Sequence, residues 1–337
     1  MPFPNPASII LIPNLPPNYT IGFDTLSFPA RTFTGLRDVP PGTHFLWAAH
    51  PTALSRCGFW IVCEAEHGVH VVLWRTEEER FVGAGETEAR LRAERLKDGL
   101  GGLLSFRDGG DGAVLWRQLT SGIDGSALDR ILTAREDGWD VHSSDGVKVS
   151  LTDKHMDTKT SPSLSPSDHL NFTFQQGLRN ISRGPRHAAD TTPYVSTTLA
   201  DSNHSVIADL QFAYIVGLYL ENDACLQQWF FTLLRILLPA HTLITQRPAL
   251  VTAVLDTLSA QLTHGHDFCE GSIFDYGQGL ERDMRFALGG YGRSMREVAP
   301  GSAREESEMA RADVVGRLLM SSAVWAGRES HGFVNSG

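Results

Sequence analysis

The sequence predicts an α+β fold: an antiparallel, β-rich, sandwich-like N-terminal domain with short helices, then an all-α C-terminal helical bundle or short solenoid. Three observations carry this expectation. Between Gly42 and Arg75 the apolar residues follow a two-residue period, with Phe45, Trp47 and Ala49 alternating with His44, Leu46 and Ala48. From Val206 onward the period becomes helical, with Ile207, Leu210, Ala213, Tyr214 and Gly217 on one face. Between them lies a Ser/Pro tract, Ser161 to Asp168, too poor in apolar residues to order itself. The expected organisation is a β-rich domain over 1–150, a flexible linker over 151–205, a helical domain over 206–326 and a tail over 327–337.

In chain order, Ile9–Ile12 reads as a short strand, and Asn14-Leu15-Pro16-Pro17 as a turn. At Pro40-Pro41-Gly42 two rings fix φ and remove two backbone donors, and the glycine then frees the next dihedral. The runs Phe45–Ala49, Gly58–Cys63 and Val69–Trp74, separated by polar turns, predict an antiparallel meander. Glu86–Leu96 is charged and rich in helix formers, the pattern of a surface helix. The Gly/Asp-rich loop 99–112 lacks the Gly-Lys-Ser/Thr ending of a phosphate cradle. Val114–Leu119 and Leu128–Leu132 suggest two short helices closing the first domain. In the second half, Glu221-Asn222-Asp223 reads as a turn and N-cap to a helix carried by Leu226, Trp229, Phe230, Leu233 and Leu237 to Pro239. Leu250, Val251, Val254, Leu255, Leu258 and Leu262 form a further stripe ending at Gly265, and two more helices are expected over 272–289 and 305–326. Short connections make these antiparallel neighbours.

At 337 residues, 42% hydrophobic and 20% charged, the chain can bury two ordinary cores. Its net charge of −10 argues against gripping nucleic acid through backbone phosphates, so partners are sought among proteins. Cys57, Cys63, Cys225 and Cys269 are scattered in mostly apolar runs, as expected of buried thiols in a reducing compartment. Ile9–Ile12 is too short for a secretory apolar region, and no stretch reaches the ~20 apolar residues of a membrane span. The Asn-x-Ser/Thr sequences at Asn18, Asn171, Asn180 and Asn203 are therefore read as chance.

The order of pieces in the first half is specific. It runs through Ile9–Ile12, Gly22-x-Asp24, Phe33-x-Gly35, Pro40-Pro41-Gly42-x-His44-Phe45 and Leu73-Trp74-Arg75. A second block, Asp209-Leu210-Gln211-Phe212-Ala213-Tyr214, continues through Trp229 to Leu238. Together, over roughly 8–76 and 205–265, they resemble the Aar-type pre-mRNA splicing factor family, which chaperones assembly of the U5 small nuclear ribonucleoprotein. The resemblance implies a non-catalytic protein of cytoplasm and nucleus with no cofactor. Its implied client is the central U5 scaffold, held through RNase H-like and Jab/MPN-like domains so that the particle's helicase is kept off. Two stretches depart from the family pattern. Gln175–Ser202 is Gly-, Pro-, Thr- and Ser-rich where the family has a helix, and the tail lacks the family's β-branched ending apart from Phe333-Val334.

The residues singled out for partner binding are Asp24, Pro40, Pro41, His44, Phe333 and Val334, with Ser161 and Ser165 as candidate phosphorylation sites. Asp24 has no acidic or His motif beside it in sequence, so a capped backbone amide or Asx-turn is expected rather than acid–base catalysis. His44 is expected on the strand face opposite the aromatics. His264-Gly265-His266-Asp267-x-Cys269 is one uninterrupted patch without the second half of a zinc site, and it reads as a helix C-terminus. Two other functions compete: a helical-repeat adaptor, and a small β-domain metalloenzyme using His44, His67 and His70. The latter lacks a carboxylate or a spaced ligand motif, so neither metal nor cofactor is expected.

Overall fold

The computed structural model describes residues 7–29, 31, 33–64, 68–96, 102–106, 111–133, 138–148, 169–175, 190–199, 204–267 and 280–298. The expected linker serines Ser161 and Ser165, and the tail residues Phe333 and Val334, lie outside them. So does the helix expected over 305–326.

The architecture is α+β, as expected. One five-stranded sheet has the order β8-β7-β1-β4-β9, formed by β1 (Ser8–Leu11), β4 (Gly35–Val39), β7 (Val69–Arg75), β8 (Arg80–Gly83) and β9 (Leu104–Ser105). The other runs β10-β6-β5-β2-β3, with β2 (Thr20–Phe23), β3 (Leu26–Pro29), β5 (Gly42–Ala49), β6 (Arg56–Cys63) and β10 (Asp140–His142). Ile10, Ile21, Phe23, Leu46, Phe59, Ile61, Val72 and Phe81 fill the space between the sheets. Helix α1 (Glu86–Leu96) covers the far side of the first sheet, where Ala89 packs on Leu11, Val71 and Leu103.

The expected meander is only half right. β5 and β6 pair antiparallel, but β7 crosses to the other sheet and pairs parallel with β1, Ile10 opposite His70. The reason is burial on two sides. The β5–β6 pair has apolar residues on both faces, so a third strand completes the sandwich by facing it rather than extending it.

Strand β5 shows this most clearly. Leu46 and Ala48 point between the sheets, whereas Phe45 and Trp47 point the other way into a second cluster shared with the helices. The second cluster's rings need room. Trp47 stands opposite Gly22 on one side and Gly58 on the other. A Cβ at Gly22 would lie 1.8 Å from the Trp47 ring, and one at Gly58 would lie 2.3 Å from the Phe45 ring.

Helices α2 (Asp111–Leu119), α3 (Gly125–Ile131), α5 (His204–Tyr219), α6 (Asp223–Phe231) and α8 (Pro248–Asp267) cover that face. Phe212 of α5 stacks on Trp60 with centroids 5.5 Å apart. The one-sided helix expected here is instead buried all round from Val206 to Gly217, because sheet and helices press on it from opposite sides. Asn222 caps α6, its Oδ1 accepting from Cys225 N at 2.8 Å. α6 then passes into π-helical turns over Thr232–Leu237, where Leu238 N donates to Leu233 O. α7 (Leu243–Gln246) precedes α8, and α9 (Leu280–Val298) extends beyond the 289 boundary expected from sequence.

Within the stretch expected as a linker, β12 (His169–Leu170) pairs with β11 (Gly146–Val147), and Leu170, Phe172 and Phe174 are buried. α4 (Thr192–Leu199) follows, a helix where the composition suggested none. Its first turn explains why it forms despite Pro193. Proline at the start of a helix removes only an N–H that would be unpaired anyway. Asp190 accepts from Thr192 N and Oγ1 and from Thr242 Oγ1. Burial pushes the Asp190 carboxyl up, but the Thr192 and Thr242 bonds outweigh it and hold it below the usual value.

Gly22→Ala is expected to cost about 1–3 kcal/mol through overpacking against Trp47, measured by urea denaturation. Gly102→Ala, with open space around its Cβ, should change stability by less than about 0.5 kcal/mol. Asp190→Ala tests the cap through pH. A depressed carboxyl contributes above its unfolded value and loses the contribution as pH falls. The gap in urea midpoint between parent and variant should therefore be full at pH 6 and close below about pH 4.

Candidate functional site

At one end of the sandwich the β2–β3 turn, the Pro40-Pro41-Gly42 turn and α2 surround an open cleft of about 440 Å³. Its walls include Leu26, Pro40, Pro41, Phe106, Trp116 and Arg117. All four N-terminal candidates, Asp24, Pro40, Pro41 and His44, line it. Leu26 is 46% exposed. Leu104, in β9 just before Phe106, and Val114, in α2 with Trp116 and Arg117, are exposed as well.

Asp24 occupies the two-residue turn between β2 and β3 with φ 54°, a left-handed position that Asp tolerates better than most residues. Its N–H donates to Phe45 O at 2.9 Å, and its Oδ1 accepts from Phe45 N at 2.9 Å. The turn thus continues the pairing of β2 with β5. This is the capped backbone amide expected from sequence. Oδ2 lies 2.7 Å from His44 Nδ1, and His44 Nε2 lies 2.9 Å from Pro40 O. No local sequence pattern signals this pairing across twenty residues. The His44 ring lies on the strand face opposite Phe45 and Trp47, as expected, but that face is the intersheet one, where the ring is stacked on Phe23 at 5.3 Å with Phe106 edge-on at 6.1 Å.

Beyond the turn, Thr43 Oγ1 donates to Ile123 O at 2.5 Å and Trp116 Nε1 donates to Thr43 O at 3.0 Å. These two bonds fix α2 and the α2–α3 turn against the start of β5, making the cleft's second wall.

A carboxylate–imidazole pair invites an acid–base reading, but its geometry does not favour one. Asp24 and His44 are 2% and 3% exposed, and the distal nitrogen of His44 is engaged by a backbone carbonyl rather than facing a reactive group. The Cys63 thiol is pushed up to about 11 by burial, opposed by a hydrogen bond from Ser8 and reinforced by the charge of Asp24. His70 is shifted down by burial and by the charge of His44, with Glu64 opposing. Among the described residues no group of three or more His, Cys, Asp or Glu side chains is placed to hold a metal ion. His67 lies outside them. His264 is fully buried and bonds the hydroxyls of Tyr214 at 3.1 Å and Tyr219 at 3.0 Å, so it serves the packing of α5 on α8.

The sequence also understated the block at Asp209–Tyr214. Asp209 Oδ1 accepts from Arg130 at 2.7 Å and Oδ2 from Thr173 N at 2.7 Å. Burial raises the Asp209 carboxyl, and Arg130 and the Thr173 amide oppose that shift. Gln211 accepts from Gly122 N and donates to Gln118 O and Ser121 Oγ. One helix therefore carries both the apolar and the polar fastenings to the first half. Polar residues inside an otherwise apolar helical run were the available signal.

Residues 6–133 match the AAR2 N-terminal domain, and residues 175–304 match the AAR2 C-terminal repeat region. This chain belongs to the AAR2 family. The matches take in more of the chain than the two resembling blocks over 8–76 and 205–265, including the compositionally odd stretch that contains α4. The chain is accordingly a splicing-related protein. No curated protein sequence matches the chain. No described helix is long and apolar enough to cross a membrane. The cleft lies within the AAR2 N-terminal region, and the Arg130–Asp209 pair joins the two matched regions.

Asp209→Ala should destabilise the protein by about 3 kcal/mol, because it strands the Arg130 guanidinium and leaves the Thr173 amide without its acceptor. Denaturant unfolding measures this directly, and a loss under ~1 kcal/mol would mean that the seam is fastened by apolar contact alone.

Proposed function

We propose that this AAR2-family protein is an assembly chaperone of the U5 particle, acting in cytoplasm and nucleus. It binds the central scaffold's RNase H-like and Jab/MPN-like domains and holds off premature binding of the helicase. It works without catalysis, by occupying an interface. The observation that carries this reading is the family match over both halves, joined to a cleft with Leu26, Pro40 and Pro41 in its walls and an acid–imidazole pair turned inward. Exposed apolar residues around a concave site are the usual mark of a protein-binding face.

The chain's net charge of −10 suits a client surface rich in Lys and Arg, with association slowing as salt rises while the apolar part of the contact persists. A switch is supplied by Ser161 or Ser165, where a phosphate would add roughly −1.5 to −2 charge. Phe333-Val334 is the remaining candidate for a contact with the partner.

The test titrates recombinant protein against the scaffold's RNase H-like domain with ribonuclease present. Leu26→Glu should weaken binding more than tenfold, about 1.4 kcal/mol or more, whereas deleting residues 328–337 should weaken it less than that. No binding by the parent protein would refute the reading. Total loss on tail deletion would move the contact from the cleft to the tail.

A further inference from the structure

The hydrogen bonds at His44 constrain its protons. Pro40 O can only accept, so Nε2 at 2.9 Å must carry a proton. Asp24 Oδ1 accepts the Phe45 amide, and Oδ2 lies 2.7 Å from Nδ1, the length of a charge-assisted N–H to carboxylate bond. The face of Phe23, stacked on the ring, also favours a cation there. We propose that His44 is a positioning residue, protonated on both ring nitrogens, and that this imidazolium straps the Pro40-Pro41-Gly42 wall of the cleft to the Asp24 turn.

The wall depends on such a strap because Pro40 and Pro41 have no N–H with which to bond it back. Its Gly42, at φ 141°, adds a residue with wide backbone freedom. Loss of one proton would leave a nitrogen lone pair facing an oxygen, and either the Asp24 bond or the Pro40 bond must open. Four ionisable groups surround the pair, on or beside three elements. Cys63 on β6 is neutral, His70 on β7 is disfavoured as a cation, Glu64 follows β6, and Arg117 on α2 lines the same cleft. The protonation state belongs to the protein alone. Only the consequence for client binding rests on the cleft being the partner face.

The experiment uses the full chain with 15N-labelled histidine, the His44 signals being assigned through His44→Gln. At pH 7 both ring nitrogens should show shifts of the protonated form. In Asp24→Asn, which keeps a residue tolerant of the left-handed turn, only one nitrogen should. On raising pH, the Trp116 indole N–H signal, bonded to Thr43 O beside the strap, should move with the midpoint of His44. Affinity for the scaffold domain should fall at least threefold over the same range. A single protonated nitrogen in the parent protein at pH 7 overturns the proposal, since the proton then sits on Asp24. An indole signal indifferent to His44 ionisation overturns the strap. Client binding absent at every pH would instead refute the partner reading and leave the nitrogen shifts to decide the strap.

Discussion

Strand β5 has no solvent side, and most of the molecule follows from that constraint. One face supplies Leu46 and Ala48 to the space between the sheets, and the other supplies Phe45 and Trp47 to the helices. A two-layer sandwich would leave those rings in water, so the helical half is needed as a third layer. Burying a side chain of this kind is worth about 1.5–3 kcal/mol. The glycines opposite Trp47 and the stacking of Phe212 on Trp60 are how the layers fit at that density. Buried Asp209 and Gln211 then give the contact one register, because each must meet its own backbone or guanidinium partner.

The same strand begins at the cleft. Gly42, Thr43 and His44 are the first residues of β5, and each does something different there. Gly42 turns the chain, Thr43 holds α2 and the turn before α3, and His44 reaches back to Asp24 and Pro40. The site is therefore built on the most constrained element of the fold rather than on a free loop. That arrangement suits recognition by a preformed surface, in which little ordering entropy is spent on binding.

Much of the fold was legible because it rests on periodicity. The two-residue period of β5 and the helical spacing after Val206 predicted the division into β and α halves. What periodicity cannot show is which layer a face meets. The run around β5 is apolar on both sides apart from Thr43 and His44, and the helix around Phe212 is apolar on nearly all of them. β7 read as the next meander strand because a short connection looks alike whether it turns within a sheet or crosses between two. At the cleft, Asp24, Pro40, Pro41 and His44 were singled out one by one, but their convergence was not. The Asp24–His44 bond spans twenty residues, set by the register of β2 on β5, and no local pattern encodes it.

The burial of Phe45, Trp47 and Trp60 against α5 also has a consequence for biosynthesis. Those rings emerge from the ribosome well before Phe212, which covers them. At ordinary elongation rates the interval between Trp60 and Phe212 is roughly 8–30 s, long compared with the collapse of a chain this size. During that time the nascent sheet presents an aromatic surface without its lid. The protein therefore passes through an unfinished state in which the face that its own later helices cover is still bare.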